Sequence, residues 1–267
     1  MTLQEWVQDQ MIHGRYVFTR GELLAVGLPL SEHALNNSLS RLSKRGIIMS
    51  PWKDFYVIIP TEYKLRGIVP PSFYIDRLMN HLGKGYYVSL LSAAELNGAA
   101  HQRAMVFQVT VDGAPVRSGI KNGTRLDFTR RGDLPMDYVT KVKTQMGYMN
   151  VSGPELTALD IVDNEQKIGG LSRAAEVLTE LSESIEWDAS KMALLGYFRR
   201  PAIQRLGFLL EAVGMDECAD KLFRLASQAG ILFRKVPLKQ AAAINAEMTV
   251  NVKWKIIENY QLDIDEI

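Results

Sequence analysis

The sequence has little cysteine and little net charge, and each shortage excludes something. Cys218 is the single thiol in 267 residues, so no disulfide framework can form within one chain, and no thiolate metal site either. Thirty-one basic residues stand against 30 acidic ones, leaving a formal net charge of +1. Overall charge of the histone kind is thereby excluded, and nucleic-acid contact would have to come from a local patch. No apolar run approaches the roughly 18 residues of a membrane span. The N-terminal stretch carries Glu5 and Asp9 and lacks the basic-then-apolar order of a signal peptide. A cytoplasmic protein without membrane contact is the expectation. The histidines, His13, His33, His81 and His101, show no metal-ligand spacing. Glycines pair in isolation, as at Gly169–Gly170, without forming a phosphate-cradling loop. Ser89 and Ser92 sit in no nucleophile-elbow pattern. With no catalytic constellation, the expectation is a non-enzyme that needs neither cofactor nor metal.

What is present is a globular composition, 47% hydrophobic and 23% charged, ample for a buried core. Leu3, Trp6 and Val7 recur at helical spacing, and Gly14 closes that helix. Thr19 with Glu22 makes a capping box for a second helix, which Gly27 and Pro29 end. Ser31 caps a third helix, stopped by Gly46. "IIM" and "FYVIIP" then read as a β-hairpin whose loop holds Pro51 and Asp54. Helix, helix, tight turn, helix and hairpin in about 60 residues suit a winged helix-turn-helix.

The two prolines of "TEYKLRGIVPP" mark a stiff connector. The expected organisation is residues 1–60 as a winged-helix domain, 61–69 as linker and 70–267 as a larger mixed α/β domain. In the latter, "VFQVTV", "GTRLDFTRRG" and "VKWKIIEN" read as strands, with a turn and further strand after "VFQVTV". The stretches "SFYIDRLMNHLG", "YVSLLSAAELNGA", "SGPELTALDIVDN", "LSRAAEVLTELSES", "DASKMALLGYF", "PAIQRLGFLLEAVG" and "DECADKLFRLASQAG" read as helices. The fold class is α/β in the α+β sense, with a small sheet and a helical second half.

The third helix, "SEHALNNSLSRLSKRGII", is the candidate site. At 100° per residue, Leu35, Leu39 and Leu42 fall within about 60° of one another and form the buried stripe. His33, Asn37, Ser40, Arg41 and Lys44 spread over roughly 100° on the other side. That face has amides, hydroxyls and cations and no acid, while Glu32 sits in the first turn, where it favours the helix dipole. Asn can bond an adenine edge and Arg can fork onto guanine or phosphate, and Ser40 and Lys44 suit phosphate oxygens. The second helix of a helix-turn-helix enters the major groove, and Lys53 at the hairpin tip would reach flanking DNA. Elsewhere, Arg117, Lys121, Arg125, Arg130 and Arg131 form one basic group. Lys191, Arg199, Arg200 and Arg205 form another, and Arg199, Arg200 and Arg205 are the candidate basic face of the C-terminal region.

"ALNNSLSRLSKRGIIMSPWKDFYVIIP" resembles the N-terminal winged helix of AbiEi-type antitoxins from type IV toxin–antitoxin systems. "YYVSLLSAAELNGAAHQ", "VFQVTV", "VSGPELTALDIV", "IGGLSRAAEVLTEL", "IQRLGFLLE" and "NVKWKIIEN" follow in the order of that family's C-terminal landmarks, so the resemblance covers about Leu3 to Asp265. It implies an antitoxin that binds double-stranded operator DNA, expected as inverted repeats, and represses its own operon. It also implies a nucleotidyltransferase-like toxin as functional partner, countered without an assumed stable complex. "PWKDF" departs from the Arg-Gly wing turn of many relatives. Two other readings stand beside it. One is a winged-helix regulator with a ligand-sensing C-terminal domain and no toxin partner. The other is a winged-helix-guided nuclease using Asp160, Asp163, Glu165 and Lys167 with Mg²⁺.

Overall fold

The computed structural model describes residues 1–65, 67–99, 105–245 and 247–264. The chain forms two compact units. The first takes Met1–Tyr86, Met105–Gly132 and Lys141–Asn150; the second takes Tyr87–Ala104, Asp133–Thr140 and Val151–Ile267. Residues 1–60 fall wholly within the first.

The first 60 residues run α1 (Leu3–Ile12), β1 (Val17–Thr19), α2 (Arg20–Ala25), α3 (Glu32–Lys44), β2 (Ile48–Trp52) and β3 (Phe55–Ile58). The three strands make an antiparallel sheet in the order β1-β3-β2, which is the element order of a winged helix. Its helices start where the sequence supplies caps. Thr19 Oγ1 accepts from the Glu22 N–H at 3.1 Å while Glu22 Oε2 accepts from the Thr19 N–H at 2.7 Å, and Ser31 Oγ accepts from the Ala34 N–H at 3.2 Å. Each cap satisfies N–H groups that the first helical turn would otherwise leave unpaired. α3 ends as the Ile47 N–H returns to the Leu42 carbonyl at 3.0 Å. That return needs Gly46 in the left-handed region, at φ +64°. Leu35, Leu39 and Leu42 join Leu3, Trp6, Val7, Phe18, Leu23, Ile48 and Ile58 in one buried cluster, as the angular sort of α3 expected.

Two expectations here need correction. β1 was not foreseen. Three residues are too few to show a period, and the strand exists through its pairing Phe18↔Tyr56 with β3. The hairpin loop is also shorter than expected: Pro51 lies inside β2, and only Lys53 and Asp54 turn the chain. The β2 register shifts between Met49 and Trp52, and an irregular edge strand tolerates a residue with no N–H to donate. Asp54 takes φ +58° to close the turn.

Beyond it come α4 (Ile75–His81), β4 (Tyr86–Val88), α5 (Leu90–Leu96), β5 (Val106–Val111), β6 (Gly119–Lys121), β7 (Thr124–Arg130), β8 (Val139–Thr144) and β9 (Gly147–Ser152). They form a six-stranded sheet ordered β6-β7-β5-β4-β9-β8. β5 pairs with β7 in parallel, from Val106↔Arg125 to Val111↔Arg130. The strand expected straight after the Asp112–Gly113 turn is therefore absent as such; the chain goes on to β6, which pairs antiparallel with β7. The sheet is larger than foreseen because β4, β8 and β9 carry Tyr, Thr, Lys and Asn without a clear alternation.

The second unit is mostly helical: α6 (Pro154–Asp163), α7 (Leu171–Leu181), α8 (Met192–Leu195), α9 (Arg200–Ala212) and α10 (Asp216–Gln228), then the short parallel pair β10 (Val236–Pro237) and β11 (Ile256–Ile257). The fold is mixed α/β, with ten α-helices among the described residues. The core of this unit gathers Leu156, Leu159, Leu178, Ile203, Leu206, Leu210, Leu222 and Trp254. Pro154 opens α6 at a position where its missing N–H costs nothing.

Candidate nucleic-acid interface

α3 presents His33, Asn37, Ser40, Arg41 and Lys44 to solvent. Arg41 Nη2 lies 3.1 Å from Ser38 Oγ, a single bond that leaves most of its fork open. Arg45 differs: its Nη1 donates to Gln4 Oε1 at 3.0 Å, tying α3 to the residue run of α1. A cleft of about 420 Å³ lies between them, lined by Thr2, Gln4, Ser38, Arg41, Lys44 and Arg45. Arg41 and Lys44 occupy the last turn of α3, where the carbonyl end of the dipole favours cations. The one acid of the helix, Glu32, is engaged: its Oε1 accepts from Arg20 Nη2 at 2.9 Å.

Arg20 was not among the sequence candidates. It stands at the start of α2, and its partners are 12 and 16 residues away, so no local pattern reveals it. Beside it, burial raises the Tyr56 hydroxyl pKa; Asp54 adds to the rise, and the Arg20 cation opposes it.

Lys53 is exposed at the hairpin turn. The turn itself is braced within the first unit. The Lys53 carbonyl lies 3.2 Å from His81 Nε2, and Trp52 meets Phe128 edge-on at 6.1 Å between centroids.

Charge divides sharply between the units. The first holds 17 basic and nine acidic residues; the second holds 14 basic and 21 acidic. A nearly neutral chain thus carries a net positive first unit, with the α3 face inside it, and a net negative second unit. Total charge hid this, and the first unit has the sign that suits a phosphate backbone.

The three C-terminal candidates do not form one face. Arg199 and Arg200 are exposed at the start of α9, with Arg200 Nη1 3.5 Å from the Leu232 carbonyl. Arg205 is partly buried and forks onto the Pro237 carbonyl, from Nε at 3.1 Å and Nη2 at 3.0 Å. Burial holds its guanidinium below its ordinary value, with Glu165 and Asp163 opposing. Arg205 works inside the second unit.

The carboxylates of the nuclease reading are likewise divided. Asp163 and Glu165 line a cleft of about 290 Å³ with Lys167 and Arg205, whereas Asp160 is buried and accepts the Tyr87 hydroxyl at 2.9 Å. No group of three or more His, Cys, Asp or Glu side chains suited to a metal ion occurs among the described residues. His101 lies outside the described residues. No helix among them is long and apolar enough to cross a membrane.

Residues 87–212 match the family model of the AbiEi antitoxin C-terminal domain. This match places that segment in the AbiEi antitoxin family. No curated protein matches the chain. Among solved structures, the crystal structure of the RV2827C protein from Mycobacterium tuberculosis is similar in fold, with a TM-score of 0.67 at 15% identity. The match covers 94% of this chain and 89% of that one. The AbiEi segment begins within β4 and ends with α9, so it holds all but the first residue of "YYVSLLSAAELNGAAHQ", and the whole of "VSGPELTALDIV" and "IQRLGFLLE", among the stretches that carry the resemblance.

Proposed function

We propose that this AbiEi-type protein is the antitoxin of a type IV toxin–antitoxin system and represses its own operon. Residues 1–60 act as a winged helix on double-stranded operator DNA, with residues 61–69 as connector and residues 70–267 as the antitoxin region. α3 docks in the major groove. Asn37 and Arg41 face base edges, and His33, Ser40 and Lys44 fix the register on the backbone. Lys53 contacts flanking phosphate. Repression follows from occlusion of the promoter by the bound protein. The functional partner is a nucleotidyltransferase-like toxin, and the protein itself performs no catalysis.

The observation that carries the reading is the exposed α3 face, whose one acid, Glu32, is paired with Arg20, in the unit that holds the surplus of cations. The test is a gel shift of the full chain on the DNA upstream of its own gene, with competitor DNA, followed by co-expression with the product of the adjoining gene. Nanomolar, sequence-selective binding and rescue of growth support the proposal. Binding no better than to competitor DNA refutes the repressor half, and an adjoining gene unrelated to nucleotidyltransferases refutes the toxin half.

A further inference from the structure

One cation of the first unit is spent inside it, and its place explains why. Arg20 opens α2, directly after the Thr19 cap. Its Nη1 donates to Asn36 Oδ1 at 2.7 Å and its Nη2 to Glu32 Oε1 at 2.9 Å, both on the first turns of α3. Its own N–H donates to the Asp54 carbonyl at 2.8 Å, at the hairpin turn. The side chain of Arg20 is 18% exposed, too enclosed for a phosphate contact. One residue thus joins α2, the N-terminal half of α3 and the turn between β2 and β3.

We infer that Arg20 is a positioning residue for DNA recognition: it fixes the angle of α3 against α2 and the wing turn, and so the direction in which Asn37 faces the groove. The planar fork matters, because two donors on two different α3 residues, one helical turn apart, resist rotation of α3 about its axis. Asn36, next to Asn37, is held by the bond, so the orientation of the reading residue follows from that of its neighbour. Lysine supplies one charge on a flexible stem and lacks the planar fork that holds two bonds in one fixed geometry. A second consequence is that Glu32 is kept from repelling the DNA backbone. This inference rests on the operator-binding reading above.

The experiment compares the wild type, Arg20→Lys, Arg20→Gln and Lys44→Ala in the full chain, on operator and on random duplex over a series of salt concentrations. The wild type must first prefer the operator; equal affinity for both duplexes refutes the operator-binding reading itself. Given that preference, Arg20→Lys and Arg20→Gln are expected to lose at least tenfold in operator affinity. Affinity for random duplex and the slope of log K against log salt should stay near wild-type values. Lys44→Ala should instead weaken both duplexes alike and reduce the slope by about 1. A slope reduced by about 1 in Arg20→Gln and kept in Arg20→Lys would show a direct phosphate contact and overturn the inference. So would full operator preference in Arg20→Lys. So would a parallel loss on both duplexes that tracks a lowered melting temperature, since that is a purely structural role.

Discussion

The indole of Trp254 lies against the bare Cα of Gly207, where a Cβ would overlap the ring. Gly207 is in the middle of α9, and a glycine there costs helix stability relative to alanine. Here it is required by packing: Trp254 is fully buried between that helix and the aromatic pair Phe223 and Phe233. Gly207→Ala is therefore expected to destabilise the second unit by about 1–3 kcal/mol, the range for overpacked cores. Adding Trp254→Phe should recover part of the loss. Thermal unfolding followed by near-ultraviolet circular dichroism checks both; an alanine variant as stable as wild type would contradict the packing.

On the DNA side, Asn37→Ala combined with Arg41→Ala should abolish preference for the operator and leave the fold intact. Both side chains are exposed and outside the buried stripe, and exposed substitutions typically shift stability by less than about 0.5 kcal/mol. Circular dichroism and a competition gel shift on the same preparation measure the two effects. Retained operator preference would remove α3 as the reading helix.

Arg205 and its neighbours offer an internal contrast. Arg205→Met leaves the Pro237 carbonyl without either of its guanidinium donors. The expected cost is about 1–3 kcal/mol. Arg199→Ala and Arg200→Ala should leave stability close to unchanged, so only they can report on a basic face. If the paired alanine variant also keeps full toxin neutralisation and operator affinity, those two arginines have no such role.

Cys218 supplies a pH-dependent prediction. Burial pushes its thiol up to about 11 from an ordinary 9.0, against the opposing influence of Trp187 and Lys221. The native state holds this proton more tightly than the unfolded chain does. Its contribution to stability is therefore full below about 9 and is lost as the pH rises through about 11. Alkylation by iodoacetamide at pH 8 should be about a hundredfold slower in the native protein than in urea, because the thiolate is the reactive form. Equal rates would place the thiol in solvent.

Much of the N-terminal architecture was legible because local chemistry wrote it. Thr19–Glu22, Ser31 and Gly46 are caps and stops whose partners lie within a few residues. The stripe Leu35–Leu39–Leu42 has a period that needs no knowledge of the rest. What stayed hidden depends on distant partners. β1 owes its existence to β3, and the parallel match of β5 with β7 is set by neither strand alone. Pro51 reads as a loop residue until the bulged edge strand around it is known. At the candidate site, the exposed face of α3 was readable, since five side chains on one arc follow from 100° per residue. Arg205 reads in sequence as part of a surface, because nothing near it indicates the Pro237 carbonyl. Arg20 was missed for the same reason.

The first unit is assembled from three separated stretches of chain, and this sets an order of events during synthesis. Residues 1–60 need nothing downstream to bury Leu35, Leu39 and Leu42. The rest of the unit needs residues as far along as Asn150, 64 positions after Tyr86. At about 5–20 residues per second on the ribosome, that is a wait of roughly 3–13 s. For that interval the nascent chain would carry an α3 face already formed on a body still incomplete, and until Phe128 is made Trp52 at the hairpin turn stays uncovered.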